Sequence, residues 1–204
     1  MLTGVQVLIG VLSRLCRPRF AAALFAFAFS APAPAALFDA DAADLQAEIR
    51  AAGREGRRLA VFFELPGCPE CGKMKRLVFP DPGVEERFGR AYLTRRIDLA
   101  SAAPIVDADG RRRAPAELAE RLRIFAAPAF VFFDAGGLPE YRHVGSLTRP
   151  ADFALLGRFV AEAIYENRPF SDYLHDNSPS GKMKNAISPR EAGEKHGKHP
   201  GEPR

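Results

Sequence analysis

Two thiols three residues apart, Cys68 and Cys71, are the side chains best placed to do chemistry in this sequence. They sit in Leu59-Ala-Val-Phe-Phe-Glu-Leu-Pro-Gly-Cys-Pro-Glu-Cys-Gly-Lys-Met-Lys75. The thiolate is the attacking species in exchange with a disulfide, so a useful cysteine needs an environment that stabilises its anion. A helix N-terminus supplies one, through unpaired backbone N–H groups and the positive end of the dipole. Cys68 is therefore the candidate nucleophile. Cys71, one turn further in, is the candidate resolving thiol, and on one helical turn the two can close a small Cys68–Cys71 disulfide.

The neighbouring residues are suited to positioning such a pair. Leu59 to Leu65 is an apolar run rich in Val and Phe, the composition of a buried strand. It breaks at Pro66-Gly67. Pro69 suits a first helical position, where no backbone donor is needed and the proline φ is already helical. The helix predicted from Pro69 runs to about Phe79, turning Met74, Leu77 and Val78 toward the core.

The remaining chain is one domain's worth. Of 204 residues, 47% are hydrophobic, enough to build a core. Residues 1–36 are set apart: Arg14, Arg17 and Arg19 precede the apolar run Phe20 to Phe29, and Ser30-Ala-Pro-Ala-Pro-Ala-Ala36 follows. That order reads as a secretory signal peptide cleaved near Ala35 or Ala36. Its apolar run is too short to span a bilayer, although an uncleaved N-terminal anchor is the other reading. With the leader go three arginines and no acid, and the net charge drops from +4 to +1. No electrostatic case for nucleic-acid binding remains. Cys16 is lost as well, leaving one pair in an exported chain, as a dithiol–disulfide couple requires.

Further elements follow in order. Helices are predicted at Asp41 to Arg54, Val84 to Arg90 and Ala116 to Leu122, and a strand at Ala91 to Leu99. Ile105 to Arg113 reads as a small hairpin turning at Asp109-Gly110, with Arg111, Arg112 and Arg113 as a solvated face or a dock for an acidic partner. Phe130 to Phe133 is uninterrupted and apolar, a strand covered on both faces. Arg142 and His143 fall in an edge strand. Thr148 is the expected cap of a helix with Pro150 in its first turn, continuing to about Asn167. The core domain is expected over 37–175, and 176–204 reads as a disordered polar tail, too poor in aliphatic residues to form a core. His196 and His199 in that tail are at best a loose metal pair.

The Cys-Pro-Glu-Cys turn resembles that of the thioredoxin superfamily, and the likeness extends over roughly residues 45 to 175. Ile124-Phe-Ala-Ala-Pro-Ala-Phe-Val-Phe-Phe-Asp-Ala-Gly-Gly137 is similar to the stretch in which thioredoxins place a cis-proline before a central strand. Tyr141-Arg-His-Val-Gly-Ser-Leu-Thr148 is similar to their last strand. The closest resemblance is to periplasmic thioredoxin-like proteins of the SoxW type, associated with bacterial sulphur oxidation. The resemblance implies an α/β thioredoxin fold with a mixed sheet flanked by helices, the hairpin near residue 110 being an insertion before the helix that leads to the proline. It also implies that Pro128 is cis and that Ala127 pairs with a partner's backbone. Thioredoxins carry a buried Asp where this chain has Phe62. Glu64, two residues on and so on the same strand face, is the candidate to exchange a proton with Cys71; its other reading is a partly solvated strand-end carboxylate.

The function expected is that of a periplasmic thiol:disulfide oxidoreductase reducing disulfides of exported proteins, without cofactor. Resemblance suggests a membrane thiol transporter as electron donor, and sulphur-carrier proteins or apocytochrome c as substrates. Glu70 opposes a thiolate at Cys68 and favours a potential nearer thioredoxin's value of about −270 mV than the oxidant extreme of about −120 mV, while Lys73 and Lys75 pull the other way. Alternatives are a disulfide isomerase or oxidase, or a Cu(I)-binding module using both thiols and His143. Nothing in the sequence requires more than a monomer.

Overall fold

A computed structural model describes residues 36–179. The leader, Cys16, and the tail from residue 180, with His196 and His199, lie outside the described residues. Among the described residues, no helix is long and apolar enough to cross a membrane.

Four strands form the main sheet: β1 (Arg58–Glu64), β2 (Tyr92–Asp98), β5 (Ala129–Phe133) and β6 (Pro139–Val144), in the order β2-β1-β5-β6. β1 runs parallel to β2 and antiparallel to β5, and β6 is antiparallel to β5. The sheet is therefore mixed. β1 and β5 are the inner strands, and β5 is buried at every residue, which explains its lack of polar alternation. Phe62, Phe130 and Phe132 face one core with Met74 and Phe153; Leu59, Val61, Phe63, Val131 and Phe133 face the other with Leu45 and Leu118. The first core is unusually aromatic: Phe62 stacks on Phe130 at 5.1 Å and meets Phe79 edge-on at 5.2 Å.

Helices cover both faces: α1 (Leu45–Arg54), α2 (Pro69–Leu77), α3 (Pro82–Ala91), α4 (Pro115–Arg121), α5 (Pro150–Ala161) and α6 (Phe170–Asn177). α1 starts at Leu45 rather than Asp41, because the Asp44 carboxylate accepts the Ala47 N–H at 2.8 Å and caps the helix there. Residues 40–42 instead pair with β2 through the backbone of Arg96. β3 (Ile105–Val106) and β4 (Arg112–Arg113) make the hairpin before α4. Its arginines are not one solvated face. Arg113 turns inward, donating to the buried Asp107 at 2.6 Å and to Asp109 at 2.7 Å, while Arg121 of α4 reaches Asp107 at 2.5 Å.

The C-terminal region differs from the sequence expectation. Thr148 does not cap α5; Arg149 stands at the cap position, its side chain turned to Asp152 and Ser178 instead of the first-turn backbone, and Pro150 takes the first helical position. α5 stops at Ala161 instead of Asn167 because Ala163 turns left-handed at φ 52° and Arg58 of β1 takes the carbonyls of Val160 and Ala161. A short 3₁₀ turn, Ile164–Glu166, and α6 follow. α6 crosses residue 175, the expected domain end, burying Phe170 and Tyr173 in the aromatic core. Beyond it the buried Ser178 donates to Asp152 of α5 at 3.0 Å. Sparse apolar residues concealed this helix, since two aromatics supply most of its packing.

Candidate active site

The end of the sheet where β1 finishes and β5 begins is one place, because Phe63 pairs with Ala129 in antiparallel register. The chain leaving β1 reaches Cys68 there, and the chain entering β5 passes through Ala127 and Pro128. Gly67 makes the turn at φ 74°, a conformation that favours glycine. Pro69 then opens α2.

Cys68 is the cap residue of α2. Its sulfur accepts the Cys71 N–H at 3.1 Å and its carbonyl accepts the Gly72 N–H. The two sulfurs form a disulfide, with Cα atoms 5.3 Å apart. Cys71 is buried at 1% exposure, whereas Cys68 is half-buried at the edge of the core. The pair is thus asymmetric: one sulfur is accessible and the other enclosed.

The Ala127–Pro128 peptide is cis. Pro128 is buried, and its carbonyl accepts the Gly145 N–H at 2.9 Å. Two large apolar side chains flank this end of the sheet in water: Leu65, just before the Pro66-Gly67 turn, is 42% exposed, and Phe125 is 80% exposed. Phe125 is thrown outward because Arg123 ends α4 in a left-handed turn at φ 57°.

Glu64, the last residue of β1, is 8% exposed. It lies on the same face of β1 as Phe62, and its two oxygens have different partners. Lys75 of α2 sits at 2.7 Å and Arg96 of β2 at 3.3 Å. The carboxylate also lines a cleft of about 410 Å³ bordered by Asp41 and Asp98, so one flank faces solvent.

Glu70, between the cysteines, is not a loose surface carboxylate. Lys73 holds it at 2.5 Å, and the Ser146 hydroxyl, in the loop after β6, donates to it at 3.0 Å. These two hydrogen bonds, Lys73's first, keep the Glu70 carboxyl below the ordinary value. The guanidinium of Arg76 folds back over Gly72, where a Cβ would meet its Nη1 at 3.0 Å.

His143 packs its ring against Phe130 and Phe170, and burial depresses its pKa. Among the described residues, no three His, Cys, Asp or Glu side chains gather as metal ligands. Ser146, Arg96 and Phe125 border the site without a local sequence signal to announce them. Gly145-Ser146 was visible only as the end of a strand, and Arg96 only as a charge within one.

Residues 45–161 match the family of thioredoxin-like domains, more than half of the chain. No curated protein matches. Among solved structures, a thioredoxin-fold protein from Helicobacter pylori is similar at 16% identity, covering 65% of this chain and 86% of that one with a TM-score of 0.51. A thioredoxin from Thermus thermophilus shares 26% identity over 59% of this chain and 86% of its own, at a TM-score of 0.47. The C-terminal domain of DsbD from Neisseria meningitidis shares 17% identity over 63% and 100%, at 0.41. The fold assignment rests on the family match and the first of these.

Proposed function

Since the chain belongs to the thioredoxin-like domain family and closes its Cys68–Cys71 pair, it is a thiol–disulfide oxidoreductase, and we propose that it works as a reductase of exported proteins. The observation that carries this reading is the placement of Cys68, an accessible sulfur at the capping position of α2 with a buried second sulfur bonded to it.

In the reduced chain, the Cys68 thiolate attacks one sulfur of a partner disulfide, forming a mixed disulfide and releasing the partner's other sulfur as a thiolate. Cys71 then loses its proton and attacks the Cys68 sulfur. The second partner sulfur leaves, and two electrons have passed from this chain to the partner. Glu64 is the proposed acceptor of the Cys71 proton, from the same face of β1 that α2 covers. Lys75 and Arg96 orient its carboxylate, and the neighbouring cleft connects it with water.

The partner segment lies across Ala127 and Pro128, with Leu65 and Phe125 as apolar flanks. The carboxylate of Glu70 opposes an anion on Cys68, which favours the disulfide form of the pair and supports the reducing direction. The order of charged, apolar and small residues in the first 36 positions supports a periplasmic location, where a membrane thiol transporter would reduce the protein. Sulphur-oxidation proteins of the kind served by SoxW-type proteins, or apocytochrome c, are the substrates proposed. The copper reading draws no support from His143, which is engaged between aromatic rings.

Reduction of insulin by the mature domain tests the activity. Turnover that disappears in Cys68→Ser supports it; an inert wild-type protein overturns it.

A further inference from the structure

Residues 145 and 146 lie side by side and bond to both walls of the site. The Gly145 N–H holds the carbonyl of Pro128 at 2.9 Å, and the Ser146 hydroxyl donates to the Glu70 carboxylate at 3.0 Å. Gly145 reaches its position at φ 116°, with open space where a Cβ would stand, so conformation and not crowding favours glycine there. These contacts tie the loop before β5 and the first turn of α2 to a common strap.

We propose that Ser146 is a positioning residue that holds the Glu70 charge beside the Cys68 sulfur and thereby sets how readily Cys68 reacts. The inference rests on the reading of Cys68 as the attacking thiol. Glu70 has two partners on opposite sides. Lys73 lies one turn further along α2, away from Cys68, whereas Ser146 belongs to the loop that borders the site. With Ser146 the carboxylate is kept at the mouth of the turn. Without it, only Lys73 remains, and the carboxylate is drawn down the helix. A negative charge near a thiol disfavours its anion, so release of Glu70 makes Cys68 more reactive at neutral pH.

The other charges around the turn are accounted for. On α2 they are Lys73, Arg76 folded over Gly72, and Lys75, which pairs with Glu64 of β1 alongside Arg96 of β2. The loop from Phe125 to Pro128 carries no charge. Beyond Ser146, the next charge is Arg149, engaged with Asp152 and Ser178.

The test follows the rate of Cys68 alkylation by iodoacetamide against pH in the reduced full chain, with the modified residue identified by mass spectrometry. Glu70→Gln is expected to move the midpoint to lower pH and raise the neutral-pH rate roughly threefold. Ser146→Ala should shift the midpoint in the same direction, Ser146→Thr should restore it, and Ser146→Ala added to Glu70→Gln should change nothing further. A wild-type midpoint in Ser146→Ala, or an equal shift on both backgrounds, overturns the proposal while leaving the oxidoreductase reading intact. A wild-type Cys68 that resists alkylation throughout sinks both.

Discussion

The sulfur of Cys68 accepts the backbone N–H of Cys71 at 3.1 Å, so the enclosed residue holds the accessible one by its main chain as well as by its thiol. The donor is the backbone of residue 71, which reduction leaves in place. A backbone N–H in that position is expected to favour an anion at Cys68 once the disulfide opens. Cys68→Ser is expected to abolish insulin reduction. Cys71→Ser should retain attack and accumulate a mixed disulfide with the substrate, visible on a non-reducing gel. Accumulation in the Cys68 variant instead would reverse the two roles.

Glutamine keeps the shape of Glu64 and one of its two acceptor positions, toward Lys75 or Arg96, but cannot take up a proton. Glu64→Gln should leave the first attack unchanged and slow release from the mixed disulfide by roughly tenfold to a hundredfold near neutral pH. Stopped-flow measurement of both steps decides it. An unchanged second step at every pH removes Glu64 from the mechanism.

Phe125 spends most of its surface in water, and its removal should cost the fold less than about 0.5 kcal/mol. Phe125→Ala should weaken KM for a protein disulfide about fivefold, within the range of a modest interface anchor, and leave reduction of a small aromatic disulfide unaltered. Equal losses on both substrates would show that Phe125 serves the chain's own structure instead.

Burial of His143 against Phe130 and Phe170 predicts acid sensitivity. Its folded value lies below the unfolded one, about 6.5, so both states are neutral at higher pH and the residue contributes no slope there. As pH falls through the unfolded value, the unfolded chain binds a proton that the folded chain refuses, and stability declines. The decline ends once the folded value is passed. Urea titrations between pH 7 and 5 should show the loss in the wild type and a shallower one in His143→Asn. Parallel curves for the two proteins would exclude His143 as the source.

How much of this is legible in the sequence depends on the range of the interactions. The strand, the Pro66-Gly67 break and the Cys68–Cys71 turn are written locally, since hydrophobic runs, proline at a helix start and a three-residue spacing act between near neighbours. The resemblance carried Pro128 into the site, because no local rule distinguishes a cis-proline from one that merely begins a strand. α6 escaped notice because Phe170 and Tyr173 are an amphipathic pattern too sparse to recognise until a core exists to receive them. The partners of Glu64 were decided by strand order, which sets β2 beside β1 and so Arg96 within reach. Likewise, 76 residues separate Glu70 from Ser146, and only the closure of the sheet brings that hydroxyl to the carboxylate. Sequence alone determined which two sulfurs can pair; packing at long range decided which charges and apolar surfaces surround them, because such contacts follow from register and burial and leave no periodic trace in the chain.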